Sequence, residues 1–297
     1  RGYASGILVE SHDGRPTKVE GNPQHPASLG ATDIFAQASV LTLYDPDRSQ
    51  VLTRAGKIST WEAFLTEFTA QLEALRPQQG AGLRILTETV TSPTLAQQLR
   101  SLLDLFPAAK WHQYEPTARD AVRDGARLAF GTDVDTHYRF ANADVILSLD
   151  AEFLVNQPGS LRYAREFTDR RRVESGQAKM NRLYVVESSP TLTGTMADHR
   201  LSMRAGEVAG FAYAIAEELG VGVKRLRPAS SGGYGRGAGR AESEERALRS
   251  TLDASHVAWI TALTRDLQKH RGTSLVLAGD HQPPAVHTLA HAMNHAL

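Results

Sequence analysis

Short apolar runs alternate with helical patterns along most of the chain beyond residue 77. The continuous apolar runs predict buried strands at residues 83–86, 144–149, 183–186 and 274–278. A 3.6-residue periodicity between and after them predicts helices at 93–106, 118–130, 160–172, 207–219 and 285–296. Strands that are apolar on both faces are typical of parallel sheets with helices on each side. The pattern therefore predicts an α/β fold with a Rossmann-like parallel sheet and helices on both faces.

The N-terminal segment has a different pattern. Apolar residues 7–9, a turn signal at 12–15 and an extended stretch at 16–20 predict a β-hairpin. An irregular stretch follows to about residue 54. Ser59 is the predicted N-cap of a helix, with Glu62 at capping-box spacing. The predicted apolar face of that helix consists of Trp61, Phe64, Leu65, Phe68 and Leu72.

Two domains are predicted from these patterns. Residues 1–75 form a small N-terminal unit that contains β-structure and one helix, and residues 76–297 form the Rossmann-like domain. The second domain ends directly after a strand and a helix, without a closing strand. We therefore expect the sequence to be part of a longer chain.

Charge and residue content exclude several classes of function. Lys and Arg number 33, as do Asp and Glu, so no basic excess indicates a nucleic-acid partner. No apolar run approaches the roughly 18–20 residues that cross a bilayer, so no direct membrane span is predicted. The sequence contains no cysteine. Disulfides, thiolate zinc sites, cysteine nucleophiles and cysteine-bound iron–sulfur clusters are thereby excluded from this chain.

A glycine-rich segment at residues 228–246 invites a nucleotide-binding interpretation. Gly233, Gly235 and Ala238 fit a loose dinucleotide fingerprint. That fingerprint requires a strand before it and a helix after it, so that phosphate meets the amide groups of the helix N-terminus. No strand pattern precedes these residues. The composition favours a flexible surface loop.

Histidines cluster near the end of the chain. His287, His291 and His295 recur every four residues and share one helix face, and His281 lies close before them, next to Asp280. Two such imidazoles can hold a metal, so a zinc-dependent hydrolase is one hypothesis. A polar helix face or a subunit interface is the other interpretation, which the spacing alone favours.

Carboxylates follow the predicted strands. Asp150 and Glu152 come after one strand, Glu187 after the next and Asp280 after the last. Ligands of doubly wound sheets bind at the carboxyl ends of strands, so these residues indicate where a pocket would lie. An acidic rim would repel a phosphate-bearing cofactor.

Several segments resemble the large catalytic subunits of the molybdopterin-guanine-dinucleotide oxidoreductases. The resemblance extends over nearly the whole chain outside residues 222–255, and six segments carry it. They are, in chain order, residues 6–26, 44–48, 59–63, 142–147, 182–187 and 195–198. The resemblance implies a cofactor pocket at the strand ends, a metal ligand from the protein and an iron–sulfur cluster near the N-terminus.

This sequence departs from that family at the positions that bind cofactors. Tyr3, Ala4 and Ser5 stand where the family has cluster-binding cysteines. The position of the family's metal ligand falls on Ala121, and an offset of one residue would give Asp120. Residues 149–152 replace the family's glycine-rich pocket loop. Glu187, Ser188 and Ser189 replace its Asp-Pro-Arg motif, which removes a cation expected near phosphates.

This combination resembles one branch, the N-terminal molybdopterin-like half of the iron–sulfur subunit of alternative complex III. Residues 25–33, 39–44 and 277–284 carry that resemblance. It implies a non-catalytic scaffold, on the periplasmic face of the membrane, that supports an iron–sulfur domain and contacts other subunits of a quinol:electron-acceptor oxidoreductase. No cofactor, metal or catalytic residue is then expected in this chain. The residues expected to form a vestigial pocket are Asp150, Glu152, Glu187, Ser188, Asp280 and His281. The alternative is an active molybdopterin enzyme with Asp120 as metal ligand.

Overall fold

The computed structural model of the protein describes residues 4–174, 176, 179–222 and 253–297. They group into two compact units, one of Arg1–Pro26 with Gly30–Ala118 and one of Ala27–Leu29 with Arg119–Leu297. The first unit includes most of the predicted N-terminal unit and also residues 76–118, which the sequence assigned to the Rossmann-like domain. The glycine-rich segment at 228–246 lies outside the described residues.

The first unit begins with the predicted hairpin. Strands β1 (Ile7–His12) and β2 (Arg15–Gly21) are antiparallel and joined at Asp13 and Gly14, which both have positive φ. The elements that follow are α1 (Ile34–Leu43), β3 (Leu52–Arg54), β4 (Lys57–Ser59), α2 (Trp61–Leu75), β5 (Arg84–Thr87), α3 (Pro93–Leu105) and β6 (Lys110–Gln113). Helix α1 was not predicted, and it lies in the stretch that was expected to be irregular. None of its residues is buried.

The start of α2 corrects one prediction. The N-cap is Thr60, whose side-chain oxygen accepts a hydrogen bond from the backbone N–H of Ala63 at 3.2 Å. Ser59 ends strand β4 instead. Thr60 has the extended backbone that a capping residue needs, one position later than predicted.

Strands β5 and β6 form a separate parallel pair in the first unit. The sequence placed β5 in one sheet with the three later apolar strands, and this was wrong. β5 pairs with Lys110–Gln113, a polar strand that the apolar pattern did not reveal.

The second unit contains the predicted parallel sheet. Its four strands are parallel and lie in the order β10–β7–β8–β9. In chain order its elements are α4 (Asp120–Phe130), β7 (Val145–Leu149), α5 (Ser160–Asp169), β8 (Arg182–Glu187), α6 (Leu192–Thr195), β9 (His199–Ser202), α7 (Val208–Glu218), α8 (Ala254–Lys269), β10 (Ser274–Ala278) and α9 (Pro284–Ala296). This confirms the α/β fold.

Alternating residues of the buried strands pack on opposite faces of this sheet. Leu147 and Val186 contribute to the core that contains α7, α8 and α9. Ile146 and Val185 contribute to the core on the other face, with Tyr163 and Phe167 of α5, among others. Because each strand is apolar on both faces, the continuous apolar runs in the sequence follow directly from helices lying on both sides.

The strand order creates a switch point between β7 and β10. From β7 the chain moves to β8 through α5, on one face of the sheet. It returns to β10, on the other side of β7, after α7 and α8 on the opposite face. The carboxyl ends of β7 and β10 therefore border the crevice in which open α/β sheets bind ligands.

Candidate functional site at the carboxyl edge of the sheet

Asp150 and His281 meet across the switch point. Asp150 follows β7 directly and has a left-handed backbone, with φ of 57°. Its Oδ2 lies 2.7 Å from His281 Nε2 and accepts a hydrogen bond from Gln282 Nε2 at 3.2 Å. The backbone N–H of Ser188 donates to its Oδ1 at 3.4 Å. Both carboxylate oxygens of this nearly buried side chain are thus occupied by the protein itself.

Gly279 brings the two strand ends into direct contact. Its N–H donates to the carbonyl of Leu149 at 2.9 Å. A Cβ at this position would lie 2.0 Å from the carbonyl oxygen of Asp150, so any side chain here would force the strand ends apart. The floor of the crevice is therefore closed by backbone contact between β7 and β10.

Asp280 pairs with Arg119, the residue that precedes α4. Arg119 Nε lies 3.1 Å from Asp280 Oδ2, and both side chains are about one-third exposed. The second oxygen, Asp280 Oδ1, is buried without a hydrogen-bond partner among the described residues. The positive charge of Arg119 is thus neutralised by a neighbouring carboxylate.

Gln157 also contacts the end of β10, and it was not identified as a site residue from the sequence. Its Nε2 donates to the carbonyl of Ala278 at 3.2 Å, and its buried Oε1 has no partner among the described residues. A single glutamine in a loop gives no signal in the sequence that its side chain will be buried at a strand end. Arg119 was missed for the same reason.

Glu187 and Glu152 both stabilise the turn around α6. The buried carboxylate of Glu187 pairs with Arg200 Nε at 2.5 Å and accepts a hydrogen bond from Thr191 Oγ1 at 2.6 Å. Glu152 accepts hydrogen bonds from the backbone N–H of Thr193 at 3.2 and 3.3 Å. Gly194 lies beside them, and a Cβ there would come within 1.9 Å of Glu187 Oε1, so a larger residue would displace this carboxylate.

The histidine helix α9 packs against α4. His287 is buried, and its Cβ lies against Gly125, where a further Cβ would come within 2.4 Å. Burial lowers the pKa of His287 to about 4, and burial also lowers the pKa of His291. The His291 ring makes an edge contact with Phe130 at a centroid distance of 4.9 Å. His295 is exposed. His287 and His291 thus lie in the packing between the two helices.

No metal site is evident among the described residues, where no three His, Asp or Glu side chains are grouped to hold an ion. Asp120, the alternative metal ligand, is the first residue of α4 and is 72% exposed. Its Oδ1 lies 3.2 Å from Arg123 Nη1. The geometry therefore gives Asp120 an ion-pair partner on its own helix.

Comparison with known proteins agrees with the resemblance at a coarse level. No family model matches the chain. The chain is 26% identical over 222 residues to the menaquinone reductase, molybdopterin-binding-like subunit of Nitratidesulfovibrio vulgaris. This distant similarity supports a relationship to molybdopterin oxidoreductase-like proteins. The alignment covers 72% of this chain and 31% of that subunit, so the chain spans about a third of the relative's length.

The cofactor of that family does not fit the residues at this edge. Its dinucleotide carries a pyrophosphate, which proteins hold with backbone N–H groups, glycines and cations. Here Asp150 occupies the first position after β7, and the buried Glu187 ends β8. Arg119 and Arg200 are already paired with carboxylates. Among the described residues of this edge, a phosphate group would therefore meet negative charge, and the two cations named here would not be free to bind it.

The sequence-predicted pocket residues come together in part. Asp150, Ser188 and His281 are in direct contact, and Glu152 and Glu187 converge on the α6 turn. Asp280 lies at the same edge and pairs with Arg119. That these residues form a vestigial pocket stays a prediction.

Proposed function

We propose that this chain is a non-catalytic, molybdopterin-oxidoreductase-like scaffold domain of a membrane-bound quinol:electron-acceptor oxidoreductase. The observation that carries the proposal is the occupation of Asp150 by His281, Gln282 and the Ser188 backbone at the switch point. A relative whose name describes a molybdopterin-binding-like subunit of a menaquinone reductase supports the link to quinone chemistry.

The proposed role follows from this occupied crevice. The second unit has a parallel sheet with helices on both faces. The polar groups of His281, Gln282 and the Ser188 backbone at its carboxyl edge already bond to Asp150, so they do not point to a cofactor. Without cysteine the chain binds no cysteine-ligated cluster. We therefore propose that electrons pass through a neighbouring iron–sulfur domain, which this chain supports together with other subunits.

The proposal extends to the complex and its location. We propose that the complex belongs to the alternative complex III type and that this chain lies on its periplasmic face. Within the described residues, no helix is long and apolar enough to cross a membrane. Attachment through other subunits is the arrangement that we propose.

Turnover of the assembled complex tests the scaffold role. Asp120→Ala and His281→Ala are introduced into the full chain within its native complex, and quinol oxidation is measured per assembled complex. We expect both variants to keep the wild-type rate within about twofold, since neither residue touches a reacting group in the scaffold account. A loss of tenfold or more by Asp120→Ala, with normal assembly, would establish the alternative of an active enzyme.

A further inference from the structure

We propose that the open face of the β5–β6 pair binds an acidic amphipathic helix of a partner protein. Arg84 is paired with Lys110 and Leu86 with His112 in the parallel register. Because side chains alternate along a strand, these four residues share one face. All four are exposed, and Leu86 is 71% exposed.

The opposite face of the pair is more enclosed. Ile85, Thr87 and Trp111 are only partly exposed. Trp111 Nε1 donates a hydrogen bond to Thr87 Oγ1 at 3.0 Å, which ties the two strands together on this face. Parallel strands occur almost entirely in sheets that are covered on both faces, usually by helices. The face of Arg84, Leu86, Lys110 and His112 therefore lacks the layer that such strands normally have.

The charges on the open face indicate the chemistry of the helix. Arg84 and Lys110 lie directly opposite each other, and like charges in this position repel. No carboxylate of the described residues lies within ion-pair distance of either cation. A partner carboxylate between the two cations would remove the repulsion.

These observations together specify the occupant. A helix is the element that covers a parallel sheet face, an apolar side chain is needed over Leu86, and Asp or Glu is needed beside Arg84 and Lys110. The inference rests on the proposed function in one respect, that a scaffold has protein partners. It does not depend on the carboxyl edge of the second unit, so a test of this face and a test for cofactor can fail separately.

Zero-length cross-linking in the native complex tests the contact. A carbodiimide joins a lysine amine to a carboxylate only where the two groups touch, by forming an amide while the reagent takes up the water. We expect Lys110 to become linked to an Asp or Glu in a helix of another subunit. We also expect amine acetylation of Lys110 to be at least about tenfold slower in the complex than in the isolated chain. Equal acetylation with no link between subunits would overturn the proposal.

Charge reversal provides the matched variants. Arg84→Glu with Lys110→Glu should lower the yield of assembled complex by about tenfold or more, whereas Lys57→Glu, on the exposed β4 strand, should not. Circular dichroism of each isolated variant checks that it is folded. If both variants assemble normally, the proposal is wrong.

Two other occupants are distinguished by the isolated chain. A dimer in sedimentation experiments that the double reversal abolishes would assign the face to a second copy. Binding to phosphatidylglycerol vesicles that the double reversal abolishes would assign it to lipid. Either result would overturn the helix proposal. The proposal is supported if the isolated chain is a monomer and does not bind these vesicles.

Discussion

The His281 imidazole lies 2.7 Å from the Asp150 carboxylate, so residues that follow β10 and β7 contact each other across the switch point. Asp150 also occupies a left-handed backbone position, which side chains other than Asn, Asp and glycine disfavour. One aspartate therefore both turns the chain after β7 and fixes the loop after β10.

Replacing Asp150 should destabilise the second unit. Asp150→Ala removes the acceptor for His281, Gln282 and the Ser188 N–H and adds backbone strain, at an expected cost of about 2–3 kcal/mol in the free energy of unfolding. Asp150→Asn keeps one acceptor oxygen and tolerates the left-handed backbone, so it should cost less than half as much. Urea unfolding followed by circular dichroism measures both, and equal values for the two variants would contradict this role of the carboxylate.

Gly279→Ala should be strongly destabilising. The added Cβ would lie 2.0 Å from the Asp150 carbonyl oxygen, a contact that only backbone movement can relieve. We expect a cost of about 3 kcal/mol or more. Gly206→Ala is the matched control, because its Cβ would meet nothing within 4 Å, and it should change stability by less than about 0.5 kcal/mol. Comparable unfolding midpoints for the two variants would show that the strand ends are not in contact.

Removing Arg200 from its ion pair with Glu187 should lower the free energy of unfolding, because a buried carboxylate is left without a cation. Arg200→Ala leaves the buried carboxylate without its cation, at an expected cost of about 2–4 kcal/mol. Glu187→Gln in the same chain should recover part of that loss, since the amide is neutral and can still accept from Thr191. A double-mutant cycle in urea measures the recovery. If the double variant is less stable than Arg200→Ala, burial of the charge is not the cause.

Stability should fall between pH 6.5 and 4 because of His287. Burial lowers its pKa from 6.5 to about 4, so the unfolded state binds a proton in this range that the folded state does not. The stabilisation is complete above pH 6.5 and decreases as the pH falls toward 4, by roughly 3 kcal/mol at most. Asp280 opposes the shift, whereas Arg119 and His291 favour it.

Substitution of His287 isolates its contribution. His287→Gln should flatten the dependence of the unfolding free energy on pH over this range, although some slope will remain because burial also lowers the pKa of His291. His295→Gln, at an exposed position of the same helix, is the matched control for the substitution itself. Unfolding in urea at pH 7, 5.5 and 4.5 gives the slopes. Equal slopes for His287→Gln and wild type would contradict the assignment.

The sequence predicted the strands whose own residues are apolar on both sides. Val145–Leu149, Arg182–Glu187 and Ser274–Ala278 were found because each is buried between two helical layers. Lys110–Gln113 and His199–Ser202 were missed because most of their residues are polar and exposed, with one apolar residue in each. They become strands through hydrogen bonds from a neighbouring strand.

The site was predictable in position but not in its pairings. Topology alone places Asp150, Glu187 and Asp280 at one edge of the sheet. It does not reveal that His281 bonds to Asp150 or that Arg119, far away in sequence, pairs with Asp280. Those partners depend on how α4 and α9 pack against the rest of the unit. The local pattern of apolar and polar residues does not determine this packing.

Molybdenum and pterin content test the central claim most directly. The full chain is produced in a host that makes the molybdopterin cofactor, and purified protein is analysed by metal mass spectrometry and by fluorescence of oxidised pterin. We expect molybdenum and pterin both to stay at the level of a protein without a cofactor site. One molybdenum and pterin in stoichiometric amount per chain would contradict it.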